Sequence, residues 1–241
     1  MSEKYIKFFE GFALAYGVAD MSTLKVDPES GKQKPDYRWN DQPLTTQVYL
    51  NHLAGTQSIG VQPCNEESEA RFGVIDVDPK NYEDFDKKFF IDIIQNYKLP
   101  LIPILSKSGG LHLYLFMNDF IPAALIKSFL SNLLPLFKLK PDCEIFPKQT
   151  QLTKDNETGQ LNKGNFINLP YFKKSERLAI NLDGTPFTFD QFISVVESNT
   201  VQAEDLKNLT QSIEEKDLEG VDPEFDDGPP CLAHLSKIMR N

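Results

Sequence analysis

At 241 residues the chain is long enough for one large domain or two closely packed ones with a substantial core. Its 40% hydrophobic and 25% charged residues are those of an ordinary globular protein. No run approaches the roughly 18 apolar residues of a membrane span, which excludes a membrane-crossing helix and makes a cytoplasmic protein the expectation. The net charge of −10 argues against a nucleic-acid partner only if it is evenly spread, and it is not. Residues 201–230 hold ten acids against two lysines, a net of −8, whereas residues 138–177 hold eight basic residues against five acids, a net of +3. Three cysteines, Cys64, Cys143 and Cys231, form no CxxC pair, so neither a disulfide framework nor a zinc site is signalled.

Taken in chain order, residues 1–70 read as a mixed α/β region with turn chemistry at Asp27-Pro28 and Glu29-Ser30-Gly31-Lys32. TTQVYLNHLAG (45–55) is a short helix capped by Thr45 or Thr46 and stopped by Gly55. FGVIDVD (72–78) is β-branched, apolar and ended by Pro79, as a buried strand would be. Helical spacing follows over 82–97, then strands at LIPILS (101–106) and LHLYLF (111–116) with a Ser-Lys-Ser-Gly-Gly turn between them. IPAALIKSFLSNLLPLF (121–137) is helical, EIFP (144–147) a short strand, 156–165 a polar loop and FINLPYF (166–172) extended. The order β-α-β-β-α-β over 72–147 is that of a split βαβ sheet with both helices on one face, leaving the other face open for a substrate. The acidic stretch 201–230 reads as a solvated helix and linker, and the last residues restart a helical pattern.

Three segments carry residues suited to chemistry. Asp76 and Asp78 alternate on a strand, so they share a face about 6.5–7 Å apart. Two hard carboxylates amid apolar neighbours suit Mg²⁺ or Mn²⁺, which removes the cost of burying unpaired charge. An isolated DxD pair also occurs at ordinary solvent-facing strand ends. In SKSGGLHLYLF (106–116), Gly109 and Gly110 allow backbone amides to form an anion-binding concavity, to which Ser106, Lys107 and Ser108 add donors and His112 a ring N–H. The plain alternative is a hairpin turn followed by a strand histidine. In DCEIFPKQT (142–150), Asp142 and Glu144 share a face by period two, and either could reach a metal placed by the first pair.

Together and in this order these segments resemble the archaeo-eukaryotic primase superfamily, most closely the primase-polymerases of phages and mobile elements. The acidic motif is matched by Asp76 and Asp78, the Ser/Gly turn leading to a histidine by Ser108-Gly109-Gly110-Leu111-His112, and the acidic strand residue by Glu144. In the stricter motif the serine stands two before the histidine, a position held here by Gly110. The phrases HLAGTQSIGVQP (52–63), EIFPKQT and GNFINLPY (164–171) extend the resemblance over about residues 5–175.

The resemblance implies an α+β fold, an N-terminal α/β module (1–70) packed on an RRM-like split βαβ catalytic module (71–200). An acidic linker (201–230) and the start of a helical C-terminal primase domain (231–241) are expected to follow. It implies a DNA primase-polymerase with two Mg²⁺ or Mn²⁺ ions on Asp76, Asp78 and Glu144. His112 and the turn Lys107, Ser108, Gly109 and Gly110 would hold phosphates of a dNTP or NTP. Lys148 and Asn165 are further nucleotide contacts, and Lys163, Lys173, Lys174 and Arg177 would track a single-stranded or primed DNA template. A helicase or other replication protein would engage a region beyond residue 241. Three alternatives fit less well. A replication-initiator nuclease needs paired histidines, and His52 and His112 are not paired. An RRM-like binding module without polymerase activity would present aromatics where this strand carries acids. A sugar-nucleotide transferase would leave the Gly-Gly-Leu-His and Phe-Pro-Lys-Gln phrases unexplained.

Overall fold

The protein is described from a computed structural model, which covers residues 1–26, 33–107, 109–156, 158–173 and 175–219. Helix α1 (Ser2–Phe8) leads into antiparallel strands β1 (Tyr16–Val26) and β2 (Gln33–Asn40). The turn expected at 27–32 lies outside the described residues. Helix α2 (Thr46–Ala54) begins at Thr45 and ends at Gly55, whose φ of 80° is the left-handed stop that glycine permits. Strand β3 (Ile59–Val61) then pairs with β1.

The second unit follows in the expected order: β4 (Glu69–Val77), α3 (Lys87–Tyr97), β5 (Leu101–Leu105), β6 (Leu111–Pro122), α4 (Ala123–Asn132) and β7 (Glu144–Phe146). The sheet order is β5-β6-β4-β7, wholly antiparallel, which is the split βαβ arrangement. Helix α4 stops at Asn132 rather than running to 137, and turns carry the chain to Lys138, which takes a φ of 53°. Pro135 has no N–H with which to continue the helical ladder. The chain then returns to the first sheet as β8 (Ile167–Asn168), giving the order β2-β1-β3-β8.

Alternation along β4 sorts the interior. Ile75 and Val77 join Leu111, Leu113 and Leu115 against α3 and α4, forming the aliphatic core. Gly73 lets α4 approach, since a Cβ there would stand 2.3 Å from Ile126. Phe72 and Val74 point the other way, into an aromatic core with Tyr114, Phe116, Phe146, Phe9 of the α1 end and Phe192 of α5 (Phe189–Asn199). The second face of this sheet, expected from the topology to be open, is therefore not open along its length. The N-terminal module and α5 cover it, and only its end, beyond Val74, stays accessible. Helix α6 (Ala203–Glu219) occupies much of the acidic stretch, and Leu206, Leu209 and Ile213 lay one side of it on the aliphatic core. Residues 220–241, including the expected C-terminal helical start, lie outside the described residues. Among the described residues no helix is long and apolar enough to cross a membrane.

Candidate active site

The open end of the β5-β6-β4-β7 sheet carries one polar row. Asp76 on central β4 stands opposite His112 on β6 and opposite Glu144 on β7. Directly opposed residues of antiparallel strands share a face, so three segments far apart in sequence deliver these side chains to one line. The same register separates Glu144 from Asp142, which periodicity could not do: Glu144 lies in the strand opposite Asp76, and Asp142 in the turn before it. Asp78 follows where β4 ends and caps the 3₁₀ turn Pro79–Asn81, its Oδ1 accepting from the Lys80 amide at 3.2 Å. Asp76, Asp78, Asp142 and Glu144 all line one cleft of about 300 Å³, together with Lys80, Tyr82, Lys140 and Cys143.

Each of the three expected ligands is turned to its own basic side chain. Asp76 Oδ1 lies 3.3 Å from His112 Nε2, Asp78 Oδ2 3.0 Å from Lys80 Nζ, and Glu144 Oε1 2.8 Å from Lys148 Nζ. Accordingly, among the described residues no group of three His, Cys, Asp or Glu side chains converges closely enough to hold a metal ion as placed. By chemistry the donor set still fits a hard divalent cation. It consists of carboxylates, and the ammonium partners are partly exposed ends of flexible chains whose surface pairs are weak and easily exchanged. Softer metals fit less well, because Cys143 is the one sulfur among the residues lining the cleft. Burial pushes the Cys143 thiol up to about 11 and the Tyr82 phenol up to about 12, so both stay protonated near neutrality. Cys143 uses its proton to donate to the Asp76 carbonyl at 3.4 Å, fixing the strand end beneath the cleft.

The glycine turn differs from the expected anion cradle. The Gly109 amide donates to Ser106 O at 3.2 Å and the Gly110 amide to Ser106 Oγ at 3.0 Å, so both are engaged inside the turn. Gly110 is needed for packing, since a Cβ would come within 2.2 Å of the Val77 carbonyl. Gly109 is needed for its φ of 90°. Lys107 remains exposed at the tip, His112 is at the edge of the row, and Ser108 lies outside the described residues.

The remaining expected contacts separate. Asn165 is linked to the residue after Lys148: its Oδ1 accepts from Gln149 Nε2 at 2.7 Å, and Gln149 Oε1 accepts from Gln62 Nε2 at 3.1 Å. Lys163 pairs with Asp41, and Lys173 packs against Gly55 at the end of α2. Arg177 is half-buried, donates to Ser58 Oγ at 2.7 Å, and has its pKa lowered by burial. Lys174 lies outside the described residues. The sequence gives no role to Lys80 or Gln62, and none at this site to Cys143 or Gln149. Lys80 was the most legible of them, because Asp78-Pro79-Lys80 is a turn signal that brings residue 80 back to the acid.

A family described as "TOTE conflict system, Archaeo-Eukaryotic Primase domain" matches residues 21–219. No curated protein sequence matches. Among solved structures, a crystal structure of primase RepB' aligns with 90% of this chain at 12% identity and a TM-score of 0.34. The chain spans about two thirds of that structure's length, 66%.

Proposed function

The chain belongs to the archaeo-eukaryotic primase family, and from that premise we propose that it is a template-dependent nucleotidyltransferase. It joins a dNTP or NTP to the 3′-hydroxyl of a strand paired to a DNA template, with two Mg²⁺ or Mn²⁺ ions on Asp76, Asp78 and Glu144. The observation that carries this reading is the register placing Asp76 between His112 and Glu144, with Asp78 on the same cleft. When bound, such ions lower the pKa of the attacking hydroxyl and neutralise charge on the leaving pyrophosphate.

The protein's own residues position and balance charge, as phosphoryl transfer mainly requires. Asp76, at the centre of the row, is held rigidly by β-pairing on both sides, while Asp78 at the strand end can adjust. Lys80 and Lys148 neutralise Asp78 and Glu144 in the metal-free protein. Once released, their ammonium groups stand at the rim where a triphosphate brings negative charge. His112 can turn its Nε2–H from Asp76 to a phosphate oxygen. Lys107 extends the same rim.

The test is incubation with primed and unprimed DNA templates, Mn²⁺ or Mg²⁺, and labelled dNTPs or NTPs. Template-directed extension of the primer by the wild-type protein, absent in Asp76→Ala, is expected. No incorporation with either ion and either nucleotide class would overturn the reading.

A further inference from the structure

The first sheet has an outward face that the catalytic reading leaves unused. Register puts Trp39, Gly17, Gly60 and Asn168 in one row across β2, β1, β3 and β8. Their neighbours Val18, Ile59 and Ile167 point into the aromatic core, so this row faces away from it. Phe166 lies flat on the two glycines, where a Cβ on either would come 2.3 Å from its ring. Trp39 meets Phe166 edge-on at 5.0 Å, and Tyr37, two residues along β2, is 46% exposed. Aromatic surface is thus presented on the outward side of the sheet, with Trp39 held in place by Phe166 and by the buried Phe12.

The polar groups around these rings ask for a partner that brings both hydrogen-bond donors, for an acceptor such as Asn168 Oδ1, and negative charge, for the cations. Asn168 Oδ1 is buried with no partner among the described residues. The half-buried Arg177 guanidinium reaches Ser58 and has no carboxylate partner among them. Trp39 also lines a polar cleft of about 590 Å³ that holds Lys154 beside Asp155, and Lys163, whose surface pair with Asp41 is readily exchanged for a phosphate. An apolar protein surface would leave these groups unanswered. Beneath this face the fully buried Gln62, which follows β3, bonds Gln149, the residue after Lys148, and so ties the first sheet to the segment that follows Glu144.

We propose that this face is a stacking platform for an unpaired nucleic-acid strand, with bases on Trp39 and Tyr37 and phosphates toward Lys154, Lys163 and Arg177. That the strand is the template rests on the nucleotidyltransferase reading; the platform itself does not. Stacking on an aromatic ring tolerates any base, which suits a strand that must be read in full.

Trp39 is the chain's one tryptophan, so its emission reports the platform directly. Titration with oligo(dT) and, separately, oligo(rU) is expected to quench it saturably, with the two arms showing which sugar is preferred. By anisotropy of a labelled strand, Trp39→Leu should bind on the order of tenfold more weakly and Trp39→Phe nearly as wild type. Mn²⁺ affinity should be unchanged. Tyr37→Leu, at an exposed position, provides a second variant should Trp39→Leu fold poorly. Unmoved emission at strand saturation, wild-type affinity in both leucine variants, or no binding of either strand would each overturn the platform. Primer extension measured alongside separates the two ideas. Trp39-dependent binding without extension sinks the polymerase reading alone, and extension with Trp39-independent binding sinks the platform alone.

Discussion

Two rows of one sheet face, about 7 Å apart, have opposite fates. In the inner row Val74 stands between Tyr114 and Phe146, all three buried, under the aromatic cover of α1 and α5. In the outer row Asp76 stands between His112 and Glu144, whose side chains are 12% and 55% exposed, with Asp76 itself at 28%. Strand, pairing and direction are shared; only the cover differs. The polar row begins where the cover stops. Charge on a central strand is tolerable there because water, or a cation, can reach it. The like charges of Asp76 and Glu144 opposite one another cost stability in the free protein, which is understandable if the row serves a ligand.

The comparison is broken most directly at its centre. Asp76→Ala should reduce nucleotide incorporation by at least about 10²–10³-fold, while thermal unfolding shifts little or upward because a repelling charge is gone. Extension at the wild-type rate in saturating Mn²⁺ would show that the outer row is no more than a solvated strand end. Glu144→Ala should be nearly as damaging and Asp142→Ala much milder, measured by the same primer-extension rates. A dead Asp142 variant beside an active Glu144 variant would mean that the turn, not the strand opposite Asp76, supplies the third acid.

Much of this was legible in the sequence, for identifiable reasons. The apolar run ending at Asp78, the helix stopped by Gly55 and the strands around the 106–110 turn each carry their signal locally. What could not be read was pairing. Nothing in period two tells Glu144 from Asp142, because the discriminating partner, Asp76, is 68 positions away. The cover over the inner row was missed for the same reason, since α1, α5 and the aromatic rings that close it come from both ends of the chain. The turn at 106–110 shows the converse. A local motif suggested free amides, and a local partner, Ser106, takes them.

The two core histidines extend the contrast and give a pH prediction. His112 is on the polar row; His52 is fully buried, with Nδ1 accepting from the Ile59 amide and Nε2–H donating to the Pro170 carbonyl. Burial lowers the His52 pKa to about 4, so the folded protein resists a proton that the unfolded chain takes up near 6.5. The unfolded state therefore binds more protons between those values. Stability is full above about pH 6.5 and falls as pH drops toward 4, by up to about 3 kcal/mol. Urea midpoints across that range measure it, and His52→Gln should flatten the slope. An unchanged slope would assign the acid sensitivity to other groups.

The smallest expected effect sharpens the inner row. Tyr114 is wholly buried between Phe72 and Phe116, yet its hydroxyl has no partner among the described residues. Burial holds its phenol well above the ordinary range, so the group stays neutral and contributes only an unanswered donor. An unsatisfied buried hydroxyl costs about 1–3 kcal/mol, whereas the ring itself fills the core. If the inner row is purely a packing row, Tyr114→Phe should keep the stacked rings and raise stability by about 1 kcal/mol, read as a higher urea midpoint at unchanged slope. If the hydroxyl instead reaches a group brought by nucleotide or template, Tyr114→Phe would leave the free protein as stable or more so but weaken the bound state. Paired unfolding and binding measurements on this one variant therefore decide whether the boundary between covered and open rows falls at residue 74 or only beyond it.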